Sequence, residues 1–196
     1  MKATFTLLLS VVALMAQSTS SSTVPQFTSD GQLVLPDNYR EWVFLSSGLG
    51  MTYGPTAGTI PNPTPIFDNV FVAPAAYQSF LKTGKWPEKT VLVLENRSSA
   101  TKGSINKAGQ YQNDLVGIQV EVKDSSRFEG NGWAFFALGK ANSGPMIPRT
   151  ATCYSCHPAN GAVDNTFVQF YPTLLPIAKK MGTLTPSYAA ASGDGH

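Results

Sequence analysis

Cysteine and histidine are both scarce in this 196-residue chain, at two each. Two cysteines exclude a disulfide-dense scaffold and any four-cysteine zinc site. Charge is scarce as well. Asp, Glu, Lys and Arg make up 13% of the residues, against the usual quarter, and 14 basic groups nearly balance 12 acidic ones. That balance excludes a strongly basic nucleic-acid binder and an acidic interaction tail. No apolar run reaches the roughly 18 residues of a membrane span. There is no internal repeat and no domain linker. Glycine and proline together supply 31 of the 196 residues, too few for a collagen-like or disordered chain but enough for many turns. What remains is one domain with 42% apolar residues and enough chain for a sizeable core.

The first residues, MKATFTLLLSVVALMAQ, place Lys2 before an apolar run from Phe5 to Met15, followed by a small-x-small pattern at Ala16-Gln17-Ser18. This is the layout of a cleaved export leader, taken as residues 1–18, with the functional domain over 24–196 and a Ser/Thr-rich lead-in between them. Loss of Lys2 leaves 13 basic and 12 acidic groups. The mature protein is expected to work outside the cytoplasm, with no membrane span.

Along the domain, Asn38 to Leu45 fits a short helix running into a strand, and Gly48 to Pro65 reads as a long loop. Asn69–Val72, Thr90–Glu95, Leu115–Val122 and Trp133–Leu138 read as strands from their β-branched and aromatic content. In the third of these, Ile118, Val120 and Val122 alternate with polar residues, the period of a half-buried strand. Pro74–Lys82 reads as a helix with proline in its first turn, Tyr77, Phe80 and Leu81 on one face, and Gly84 as its stop. Helical spacing recurs at Phe167, Phe170, Leu174, Ile177 and Met181, so Asn165–Met181 is expected to be a helix kinked at Pro172 and Pro176. The tail beyond Pro186 is expected to fray. The fold class is therefore mainly β with some α: an antiparallel sheet with a few flanking helices.

Both cysteines fall in one pentapeptide, Cys153-Tyr154-Ser155-Cys156-His157. Cys-x-x-Cys-His is the attachment pattern of c-type haem. Two thiols three residues apart can reach two vinyl groups on one porphyrin edge, and the following imidazole can bind the iron from one face. Cys153 and Cys156 are thus the cofactor-binding candidates, His157 the metal ligand, and one covalent haem c the cofactor, attached near the C-terminus. Three weaker readings stand beside this one. A thioredoxin-like pair lacks the βαβ context it needs, zinc lacks a convincing fourth ligand, and a plain structural disulfide is the third. For a sixth iron ligand the chain offers Met51, Met146, Met181, a lysine or water, since His196 ends a polar tail. Met181 is expected in the core, and Met146 near the haem. The motif stands far from the N-terminus, unlike that of small electron carriers. This order points to a five-coordinate iron with an open face.

Gly31–Val43, Phe71-Val72 with Pro74 and Tyr77, Thr83-Gly-Lys-Trp-Pro87, Val122–Phe128, Gly132–Phe136 and Phe167–Pro172 resemble, in order, the motifs of the cytochrome P-460 family. The resemblance implies a periplasmic, mainly β, homodimeric c-type haem protein. It also implies one of two activities: oxidation of hydroxylamine, or binding of nitric oxide at an apolar face as in the sister cytochromes c′-beta. Hydroxylamine-oxidising members carry a lysine bonded to the porphyrin, and the corresponding position here is Leu94, with Lys89 the nearest lysine. The binding of nitric oxide or another small gaseous or nitrogenous ligand is therefore favoured. Hydroxylamine oxidation and electron transfer to a protein partner are the alternatives. Phe67, Phe71, Trp86, Phe135 and Phe136 are candidates for an apolar pocket, each more readily placed in the core. Arg149 is a candidate partner for a haem propionate. Asp68 is read as a turn residue before a pocket carboxylate.

Overall fold

The computed structural model describes residues 24–53 and 64–193. The leader, much of the Gly48–Pro65 segment and His196 lie outside the described residues. Five antiparallel strands form the main sheet: β3 (Val43–Leu49), β4 (Ile66–Val72), β5 (Val91–Ala100), β6 (Tyr111–Lys123) and β7 (Trp133–Gly139), side by side in that order. A small second sheet joins β1 (Gln26–Phe27), β2 (Leu33–Val34) and β8 (Ser143–Gly144). The expected antiparallel sheet with flanking helices is what the chain forms.

Side chains alternate across a strand, so the main sheet has two distinct faces. On one, Val91, Val93, Ile118, Val120, Val122, Ala134, Phe136 and Leu138 form a buried core with Tyr39, Trp42 and Phe128. The small sheet lies over it through Leu33 and Phe27, whose ring stands 5.9 Å from that of Phe136. On the other, Val72, Leu92 and Trp133 pack beneath the helices with Phe80, Trp86, Val163, Val168, Leu174 and Ala178.

Helix α1 (Pro74–Thr83) follows the sequence closely. Pro74 sits where no amide donor is needed. Gly84 closes the helix at φ 68°, its N–H donating to Phe80 O, in the left-handed conformation glycine adopts without steric cost. Helix α2 (Cys153–Asn160) carries the pentapeptide.

Three expectations fail toward the C-terminus. Asn165–Met181 is not one kinked helix. It holds a 3₁₀ turn at Val168–Phe170 and then helix α3 (Leu175–Met181), with Pro176 in its first turn. Prolines four apart remove two amide donors from any continuous helix. Met181, at the end of α3, is 43% exposed rather than in the core. The residues past Pro186 do not fray but form helix α4 (Pro186–Ser192), started by that proline. It is tied down just before its start: Thr185 donates from N–H to Ala162 O at 2.8 Å and from its hydroxyl to Gly161 O at 2.7 Å. No described helix is long and apolar enough to cross a membrane.

Candidate haem site

Helix α2 places residues three and four apart on one face, so Cys153, Cys156 and His157 share a side. All three line a cavity of about 510 Å³ between α2 and the helix-bearing face of the main sheet, within the range of cofactor sites. Both thiols are free. Tyr154 locks the helix to β7: its hydroxyl donates to Ile147 O at 3.1 Å and accepts from Phe135 N–H at 3.3 Å.

His157 is fixed in orientation. Its ring lies between those of Phe135 and Phe167, each with its centroid 4.4 Å away. Nδ1 is 2.9 Å from the backbone oxygen of Asn165. A carbonyl can only accept, so Nδ1 carries a proton, and in the neutral imidazole the lone pair is then on Nε2. That is the tautomer a metal-binding imidazole needs. Glu121 lies close by, with Oε2 3.8 Å from Nδ1.

The remaining wall is built from alternate residues of the strands. β5 contributes Leu92, Leu94 and Asn96, β6 contributes Gln119 and Glu121, and β4 contributes Ile66, Asp68 and Val70. Met51 and Tyr53 line it from the segment after β3, and Tyr171 from beyond the 3₁₀ turn. Asp68 is therefore no turn residue. It sits inside β4, opposite Asn96, and accepts from the Asn96 amide at 2.6 Å. Burial raises its pKa, the Asn96 bond opposing. Burial likewise raises Glu121, against the pull of His157. Tyr171 is pushed well above the usual phenol range by burial, then by Glu121 and Tyr53.

The structure thus brings Cys153, Cys156, His157, Leu94, Asp68, Met51 and Phe135 together. Phe71 and Phe136 belong to the opposite core and Trp86 to the helix-side core, while Phe67 does not line the cavity. Met146 is 41% exposed, bridged to Phe136, and so does not approach the cavity. Arg149 is also outside the lining. Its Nη1 donates to Trp133 O at 3.1 Å and its guanidinium lies over the Tyr154 ring. Lys89, the lysine nearest to Leu94 in sequence, turns its ammonium to Asp124 and Ser126 instead. Glu121, Gln119, Asn96, Tyr53, Tyr171 and Phe167 are the wall residues that reasoning from sequence missed. The only available signal was the polar half of the alternation in β6, which reads equally well as a solvent face. The wall is more polar than the expected aromatic and aliphatic lining.

These residues fit a haem. Two thiols and one correctly protonated imidazole face a single cavity, and the imidazole is held by a carbonyl and two rings. No curated protein matches the chain. The family model for cytochrome P-460 matches residues 36–168, a span that runs from before β3 through α2 and includes His157 and every strand of the main sheet. The chain belongs to the cytochrome P-460 family and is a haem-binding cytochrome.

Proposed function

We propose that this is an exported cytochrome with a single haem c, tethered through Cys153 and Cys156 and ligated by His157, that binds nitric oxide or a related small nitrogen ligand. When bound, the haem supplies a redox-active iron with an open coordination position. The observation that carries the reading is the state of His157: Nδ1 is committed to Asn165 O, which leaves Nε2 for the metal. No second imidazole lines the described cavity wall, and Met51 is the one thioether there. Leu92, Leu94, Val70, Phe135 and Phe167 limit water at the cavity surface. A leucine at position 94 cannot bond to the porphyrin, which argues against the modified haem of the hydroxylamine-oxidising relatives.

Asp68 favours a second reading. Oxidising hydroxylamine releases protons from its N–H and O–H bonds and sends electrons to an acceptor protein. A carboxylate whose pKa is raised by burial is a stronger proton acceptor than a freely solvated one. Asp68 is such a group, held in place by Asn96. Under this reading Asp68 takes up protons, and the electrons leave to a redox partner.

Intact-mass analysis and the reduced absorption spectrum of the mature protein test the first reading. One added haem with a five-coordinate spectrum is expected, followed by tight nitric oxide binding in stopped flow. Multiple turnovers per second with hydroxylamine and an electron acceptor would instead put the second reading first. Sharp six-coordinate bands that vanish in Met51→Leu would make the protein an electron carrier.

A further inference from the structure

Between α2 and the 3₁₀ turn, Val163-Asp164-Asn165-Thr166 forms a tight two-residue hairpin. Thr166 N–H donates to Val163 O at 2.8 Å, and Val163 and Thr166 form an antiparallel bridge. Both central residues are left-handed, Asp164 at φ 49° and Asn165 at φ 62°. Two consecutive positive φ values define the type I′ turn, for which Asp and Asn are among the few tolerant side chains.

The turn is anchored from three sides. The Asp164 carboxylate is paired with the Lys123 ammonium and accepts from the Trp133 indole N–H at 3.4 Å. Lys123 also donates to Trp86 O at 2.9 Å. The Trp86 indole donates to the Thr166 hydroxyl at 2.7 Å, and that hydroxyl donates to Val163 O at 2.7 Å. Gly161 lets the turn close on α2: a Cβ there would lie 2.7 Å from His157 O and 2.9 Å from the carbonyl carbon of Asn165.

All this anchoring delivers one atom, the Asn165 oxygen, to Nδ1 of His157. A competitor stands near. The Glu121 carboxylate is 3.8 Å from the same nitrogen, too far for a hydrogen bond but within reach after a small shift. The two acceptors differ in consequence. A neutral carbonyl leaves the imidazole an ordinary ligand. A carboxylate draws the Nδ1 proton, raises the basicity of the ligating nitrogen and stabilises oxidised iron.

We infer that the Asp164–Asn165 turn is a selector that reserves the Nδ1–H of His157 for a neutral carbonyl and keeps it from Glu121. Asp164 is its positioning residue. The inference rests on His157 being the iron ligand proposed above.

The experiment uses the haem-loaded protein and two readouts, the iron–histidine stretching band of the ferrous form and the midpoint potential. Asp164→Ala removes the anchor. Gly161→Ala forces the turn off α2 by an independent route and covers the case in which the first variant fails to fold. Either variant should raise the stretching frequency. Either should also lower the potential by the equivalent of about a tenfold change in the oxidised-to-reduced ratio, roughly 59 mV for one electron. Adding Glu121→Gln to each should return both readouts toward wild type, which a merely structural role for Asp164 would not produce. Haem-loaded variants with unshifted bands and potentials, or shifts that survive Glu121→Gln, overturn the selector while leaving the proposed function intact. A wild-type chain whose haem iron is not ligated by His157, as shown by an unchanged spectrum in His157→Ala, removes both readings together.

Discussion

The two faces of the main sheet are made by the same five strands and have opposite tasks. Toward the small sheet, β5 and β6 present Val91, Val93, Ile118, Val120 and Val122, all nearly inaccessible. Toward α2 the same strands present Leu94, Asn96, Gln119 and Glu121 around open space. The contrast extends to buried acids. Glu95, on the dry face, is 3% exposed but well compensated. It accepts from Arg40 Nε at 2.8 Å and Arg97 Nε at 2.6 Å and also from the Tyr39 hydroxyl. Burial pushes its pKa up, yet those bonds and the Arg40 charge outweigh it and the net shift is downward. Asp68, on the cavity face, has one neutral amide partner and is shifted upward. A buried carboxylate with cationic partners serves the fold, whereas a half-buried one left short of partners beside a cavity is available for chemistry.

The sharpest way to break this comparison is to cut the haem away from the cavity face. Cys153→Ala with Cys156→Ala should abolish covalent haem altogether, seen as loss of the added haem mass. It should leave chemical unfolding of the apoprotein within about 0.5 kcal/mol of the unsubstituted apoprotein, since neither side chain belongs to a core. Next in size is the dry face. Phe136→Ala should cost about 3–5 kcal/mol in urea unfolding, whereas Leu94→Ala, beside existing space, should cost about 1–2 kcal/mol because less packing is lost. The Leu94 position has its own test: proteolysis and mass spectrometry should find haem on the Cys153–Cys156 peptide alone. Haem on any peptide from residues 87–97 would contradict the assignment of that strand.

The smallest effects concern pH, and the two faces should give opposite signs. Glu95 has a lowered pKa in the folded state, so its contribution is present above the unfolded carboxylate pKa and is lost as pH falls through the folded value. Glu95→Gln should therefore flatten the acid limb of a stability-against-pH curve. Asp68 has a raised folded pKa. Its ionised form is disfavoured in the fold, so stability declines as pH rises from the unfolded toward the folded value. Asp68→Asn should remove that decline and leave the protein slightly more stable at neutral pH. The same signs for both variants would refute the contrast.

Period and punctuation made most of the scaffold legible in the sequence. Ile118, Val120 and Val122 announced their strand, Pro74 and Gly84 bracketed α1, and the pentapeptide pointed to the haem that the family implies. The cavity wall was not legible, because period two assigns Gln119 and Glu121 to one face without saying whether that face meets water, a helix or a void. Asp68 misled for a related reason: Asp next to Asn suits a turn by local preference, and only pairing with β5 reveals a strand. The Asp164–Asn165 turn matches its own local preference but was absorbed into an apolar period of helical length. Pro186, expected to precede a frayed tail, starts a helix that Thr185 ties back to Gly161 and Ala162 over 20 residues earlier, contacts that composition cannot express.

Helix α2 buries none of its own residues fully, although it carries Cys153, Cys156 and His157, the groups proposed to hold the haem. It adds no fully buried side chain to either core and is held by the Tyr154 bonds, the flanking rings and the carbonyl at Asn165. Opening it exposes little apolar surface, so its local unfolding free energy lies far below that of β5 and β6. In hydrogen exchange its amides should trade with solvent well before those of the central strands. Helix α2 should therefore be able to loosen locally while the five-stranded sheet behind it stays packed.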